Sequence, residues 1–103
     1  GARFLVLFIP TKERAYASLL RRLGSDLSPP HGRLVGFEDQ ARADIRRFCE
    51  EEGITVADAL PPLERALDAG VATYPPGTES HPNAEGYLVI ANAVAERLAD
   101  SGL

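Results

Sequence analysis

Phe4-Leu5-Val6-Leu7-Phe8-Ile9 sets six apolar residues in a row, and Pro10 closes the run. A half-buried strand would alternate apolar with polar residues. Six without alternation predict a strand covered on both faces, as in the centre of a parallel sheet. Such a strand needs helices packed on it and neighbours at its edges. This one run commits the chain to a layered α/β fold, provided the rest supplies the helices.

The rest does. Thr11 offers a side-chain oxygen for an N-cap. Ala15, Tyr16, Leu19, Leu20 and Leu23 follow at helical spacing, and Gly24 stops the pattern. Residues 25–36 hold Pro29, Pro30, Gly32 and Gly36 and read as a loop. A second helix is expected from Phe37, with Ala41, Ile45, Phe48 and Cys49 on one face, ending at Gly53. Ile54-Thr55-Val56-Ala57 is a short second strand, followed by Asp58. Pro61 and Pro62 suit the first turn of a third helix, stopped by Gly70. Val71 to Tyr74 is expected to be briefly extended, and Pro75-Pro76-Gly77 breaks it. Asn83 caps a last helix whose expected buried stripe is Tyr87, Ala91, Val94 and Leu98, with Leu88, Ile90 and Ala95 beside it. Strands separated by helices imply a parallel pair with a right-handed crossover. The reading is a single partial α/β domain over residues 1–103, half of a doubly wound fold, with two or three parallel strands and about four helices.

The chain is long enough for one small domain. Net charge is −4, with no basic block, which argues against nucleic acid or an anionic membrane as partner. Ten arginines stand against the single Lys12, a bias expected of a GC-rich genome. The chain starts Gly1-Ala2-Arg3 without Met, so its first residue is expected to be a processed or cut end. No run approaches the roughly 18 apolar residues of a membrane span. Cys49 is the only cysteine and falls in a helical pattern, which predicts a buried thiol. No Cys/His set has zinc spacing, so no metal is expected. No Gly-rich phosphate loop occurs, and no cofactor is expected. Glu50-Glu51-Glu52 reads as a solvated face and His31 as a loop residue.

Chemistry concentrates in Thr78-Glu79-Ser80-His81-Pro82-Asn83-Ala84-Glu85-Gly86-Tyr87. A neutral imidazole can take a proton from a serine hydroxyl while a carboxylate on its other nitrogen fixes the tautomer. Glu79 stands two residues before His81, within reach in an extended loop. The last helix begins just beyond, and its positive end disfavours a protonated histidine beside it. The alternative is a plain helix entry. Pro82 stiffens the approach, Asn83 caps, Gly86 lets the helix pack closely, and His81 is an exposed loop residue.

The His-Pro-Asn-Ala-Glu-Gly-Tyr block, followed by an Ala-rich amphipathic helix, resembles the last block of the SGNH (GDSL-type) hydrolases. Other stretches are similar in the same order. Phe8 to Tyr16 resembles a strand and loop of a bacterial branch, and Phe48 to Ile54 with Asp58 to Leu63 resembles the helix, strand and turn before the histidine block. Tyr74 to His81 resembles the Tyr-rich loop leading into Asp-x-His or Asp-x-x-His. The resemblance covers most of this chain and only the C-terminal half of the family's flavodoxin-like, three-layer fold. It implies a bacterial serine esterase or acyl hydrolase, with His81 as base and Glu79 as the acid in an Asp-x-His alignment. An Asp-x-x-His alignment puts Thr78 there instead, which cannot carry the charge. The implied substrate is an ester or acylated carbohydrate, and a cytoplasmic, periplasmic or membrane-anchored parent is equally compatible.

The family's nucleophile lies in a Gly-Asp-Ser block that this chain lacks. Gly24-Ser25-Asp26 has those letters in another order and follows a helix. Ser18 lies in a helix, Ser80 stands between the acid and the base, and Ser28 and Ser101 have no partner pattern. The expected activity therefore belongs to a larger protein, with the serine in a missing N-terminal half or on a second chain, and the isolated chain is expected to be inactive. The competing expectation is a non-catalytic α/β association module that dimerises or binds a partner through an exposed strand edge.

Overall fold

The computed structural model describes residues 3–102. Gly1 and Ala2, the expected processed end, lie outside the described residues. The order is β1 (Leu5–Phe8), α1 (Lys12–Arg22), α2 (Pro29–Glu51), β2 (Thr55–Asp58), α3 (Leu60–Asp68) and α4 (Ala84–Ser101). The two strands pair in parallel, with Leu5 opposite Thr55 and Phe8 opposite Asp58. The α/β class read from the sequence is the one observed.

β1 forms where expected, but none of its residues is fully buried, and Phe4 and Ile9 beside it are 63% and 50% exposed. The reason is that β2 pairs with one edge only, and the other edge is unpaired among the described residues.

α2 begins at Pro29, eight residues before the expected start at Phe37. Ser28 caps it, its hydroxyl accepting from the His31 amide at 3.3 Å, and the prolines fill the first two positions. A proline there forfeits no helical bond, because those amides have no partner in any helix. His31 is accordingly a first-turn residue, with Nε2 2.8 Å from the Glu13 carbonyl, and not a loop residue.

Among the described residues two small clusters form the core. One joins Ala15 of α1, Leu67 of α3 and Tyr74, with Tyr16 and Leu19 packed on it. The other joins Ala59 and Leu63 to Ile90 of α4, with Leu7 of β1 against them. α3 belongs to both, and its buried Leu60, Leu63 and Leu67 recur at helical spacing. A fully buried leucine contributes about 1.5–3 kcal/mol, so Leu63, with no exposed surface, is among the larger single contributors. Charge ties the outer helices in. Arg14 contacts Asp39 of α2 at 2.6 Å and Glu64 of α3 at 3.5 Å, and Asp58 of β2 pairs with Arg46 of α2 at 2.9 Å. Cys49 is buried, as its place in the helix implied.

α4 corrects the expected stripe. Gly86 and Ile90 are the buried positions, while Tyr87, Leu88 and Leu98 are 51%, 57% and 40% exposed. Residues 71–74 form no strand. Thr73 and Tyr74 are nonetheless buried, Thr73 against Gly86 in the first turn of α4 and Tyr74 in the cluster with Ala15 and Leu67.

Candidate functional site

Asn83 does three jobs at the entry to α4. Its Oδ1 accepts from the Gly86 amide at 2.9 Å, which caps the helix. Its Nδ2 donates to the Ala72 carbonyl at 3.0 Å, and its own amide donates to the Thr73 carbonyl at 3.0 Å. Gly86 completes the join. A Cβ on it would stand 2.2 Å from the Thr73 carbonyl oxygen, so only glycine lets the helix approach so closely.

Tyr74 ties the same segment to the residues between β1 and α1. Its hydroxyl donates to the Pro10 carbonyl at 3.1 Å, and its ring meets Tyr16 edge-on at 6.0 Å. Burial, with a smaller push from the Glu38 charge, raises its phenol to about 12. The loop beyond it is gathered by Lys12, the first residue of α1. The Lys12 ammonium donates to the carbonyls of Pro75, Gly77 and Glu79 at 2.5, 3.0 and 3.3 Å. Gly77 turns the chain there with φ +82°, a conformation suited to glycine.

This scaffold ends in the Glu79–His81 pair. One carboxylate oxygen, Glu79 Oε1, accepts the His81 amide at 2.9 Å and stands 2.7 Å from His81 Nδ1. Those bonds, the main-chain one first, hold the Glu79 carboxyl below the usual carboxylate range. An ionised carboxylate can only accept, so Nδ1 carries the proton in this pair. In the neutral ring Nε2 then bears the lone pair. Nε2 has no hydrogen bond among the described residues, and the two side chains are 78% and 55% exposed. The arrangement is an imidazole oriented by a carboxylate and exposed to solvent. Thr78, the other candidate acid position, makes no hydrogen bond to the ring among the described residues.

No serine hydroxyl bonds to His81 among the described residues. Ser18 donates to Glu64 at 2.5 Å, Ser28 caps α2, and Ser101 donates to the Leu98 carbonyl. A separate groove of about 330 Å³ lies at the carboxyl ends of the two strands, beneath the middle of α2. Its walls are mainly apolar, with Phe8, Ile9 and Ile45 prominent and Glu38, Arg42 and Asp58 as polar groups. His81 and Glu79 are not among its walls.

Among the described residues no group of three or more His, Cys, Asp or Glu is placed to hold a metal ion. No helix among them is long and apolar enough to cross a membrane. Sequence reasoning found Glu79, His81, Asn83 and Gly86 but passed over Lys12 and the burial of Tyr74. Lys12 carried a signal, as the one lysine in an arginine-rich chain. Comparison with protein-family models, curated proteins and solved structures finds no match.

Proposed function

We propose that these residues carry the histidine and acid of an SGNH-type serine ester hydrolase, with the nucleophile and oxyanion donors supplied by polypeptide outside them. The observation that supports this most is the Glu79–His81 pair, 2.7 Å between Oε1 and Nδ1. In this reading Nε2 takes the proton of an incoming serine hydroxyl, and Glu79 stabilises the imidazolium that results. The serine oxygen bonds to the acyl carbon of an ester or acylated carbohydrate. The protonated Nε2 then gives its proton to the departing alcohol, and water attacks the acyl-enzyme by the reverse sequence. Hydrolysis of a short-chain p-nitrophenyl ester by the product of the complete reading frame tests it. His81→Ala is expected to lower kcat/KM by about 10³-fold or more, and Glu79→Gln by a smaller factor. The 103 residues alone are expected to turn over nothing. Unchanged turnover in His81→Ala, or no serine reactive to a fluorophosphonate in the complete product, would overturn the reading.

A second reading has its own observation. The edge of β1 left unpaired among the described residues, with Ile9, Phe37, Ile45 and Phe48 exposed, suits an association module. A complete product that associates tightly yet leaves fluorophosphonate and ester untouched would favour it.

A further inference from the structure

Every ion pair formed by a basic side chain other than histidine uses arginine, among the described residues. The one lysine, Lys12, meets main-chain carbonyls instead, those of Pro75, Gly77 and Glu79 at 2.5, 3.0 and 3.3 Å. An ammonium carries three N–H donors around a point, and here three oxygens converge on it. A guanidinium presents a planar fork suited to carboxylates and cannot reproduce that convergence. Lys12 also opens α1, where the helix dipole disfavours a cation. A residue that breaks a local rule needs a gain elsewhere, and the gain lies in the loop 63–67 positions away.

We propose that Lys12 is a positioning residue for the Glu79–His81 pair, gathering the carbonyls of the Pro75–Glu79 loop around its ammonium and so fixing where the Glu79 carboxylate meets the His81 ring. The third carbonyl it binds is that of Glu79 itself, so the clamp ends on the residue whose side chain holds the histidine. Tyr74 secures the near end of the loop on Pro10, two residues before Lys12. The loop thus has one anchor on each side of its turn, both from residues 10–12. The catalytic meaning of the clamp rests on His81 being a base; the positioning does not.

A single lysine makes the direct test unambiguous. With lysine labelled at Nζ, the wild-type chain is expected to show one slowly exchanging ammonium signal, with couplings across hydrogen bonds to the loop carbonyls. An ammonium that exchanges as fast as free lysine overturns the proposal. Lys12→Met keeps a similar stem without the charge. Its Glu79 carboxyl is expected to titrate at higher pH than in wild type, and its His81 amide to exchange about tenfold faster. Lys12→Cys treated with 2-bromoethylamine restores an ammonium at almost the original length, with the buried Cys49 protected. It is expected to return both readouts to wild type, whereas Lys12→Arg leaves them near those of Lys12→Met. Readouts unchanged in Lys12→Met, or fully restored in Lys12→Arg, overturn the proposal. If Lys12→Met does not fold, the wild-type ammonium signal decides. None of these readouts involves turnover, so loss of the esterase reading would leave them standing.

Discussion

A methyl group at position 86 would collide with the main chain, and that reverses an ordinary rule. Glycine inside a helix costs about 1 kcal/mol relative to alanine, so Gly→Ala usually stabilises. At Gly86 the added Cβ meets the Thr73 oxygen at 2.2 Å and Pro82 Cβ at 2.9 Å. Neither neighbour is a flexible side-chain end. Gly86→Ala is expected to destabilise by about 2–3 kcal/mol, read as a lowered Tm. Tyr74 sets a pH limit. Its phenol is raised to about 12, against an ordinary value of 10.0. Both states hold the proton below pH 10, so this contribution is complete there. Between pH 10 and 12 the unfolded state releases it and the folded state keeps it, so stability falls as pH rises. Two pKa units correspond to roughly 3 kcal/mol. Chemical denaturation of wild type and Tyr74→Phe from pH 9 to 12 is expected to show that much less pH-dependent loss in the variant.

At the scale of elements, α2 and α4 were the two that sequence reading placed imperfectly, for different reasons. Around Pro29 to Gly36 four residues that usually punctuate loops stand close together. Ser28 and the two prolines are in fact a helix start, and the glycines are carried along by the helix that follows. A Cβ on Gly36 would meet nothing within 4 Å, so Gly36→Ala is expected to stabilise the protein by about 0.5–1 kcal/mol in denaturant unfolding. That sign, opposite to the one at Gly86, separates a glycine the helix merely tolerates from one the packing requires. α4 is apolar on more than one side, with Tyr87, Leu88, Ile90, Val94 and Leu98 spread around it. Periodicity finds several stripes in such a helix, and none is decisive. The contact of Gly86 on Thr73 sets the rotation, and Ile90, one turn on, follows it inward. The caps at Thr11 and Asn83 were legible because capping acts within three residues. The Glu79–His81 pair was legible for the same reason, at a separation of two.

The whole molecule measures 46 × 27 × 22 Å with a radius of gyration of 14.7 Å. A compact chain of this length would have about 13 Å. The excess fits a 23-residue α2, about 34 Å long, lying over a sheet that has two strands among the described residues. Its exposed Phe37, Ile45 and Phe48, with Ile9 at the end of β1, leave apolar surface uncovered. The 103-residue chain is therefore expected to self-associate with rising concentration. Sedimentation velocity is expected to show the apparent dissociation constant at least about tenfold weaker in Ile45→Lys. A wild-type chain that stays monomeric at millimolar concentration would contradict this.

The sequence by itself determined the α/β class, the order of the elements, the helix caps at Thr11 and Asn83 and the acid–histidine pair. Each of these depends on residues a few positions apart, or on a run of one chemical kind. The tertiary structure decided that, among the described residues, β1 is paired on one edge only, which face of α4 turns inward, and that Lys12 reaches across more than sixty residues to the loop bearing Glu79 and His81. Those features depend on contacts between distant segments, and no local pattern encodes which segment a free ammonium or an apolar face will meet.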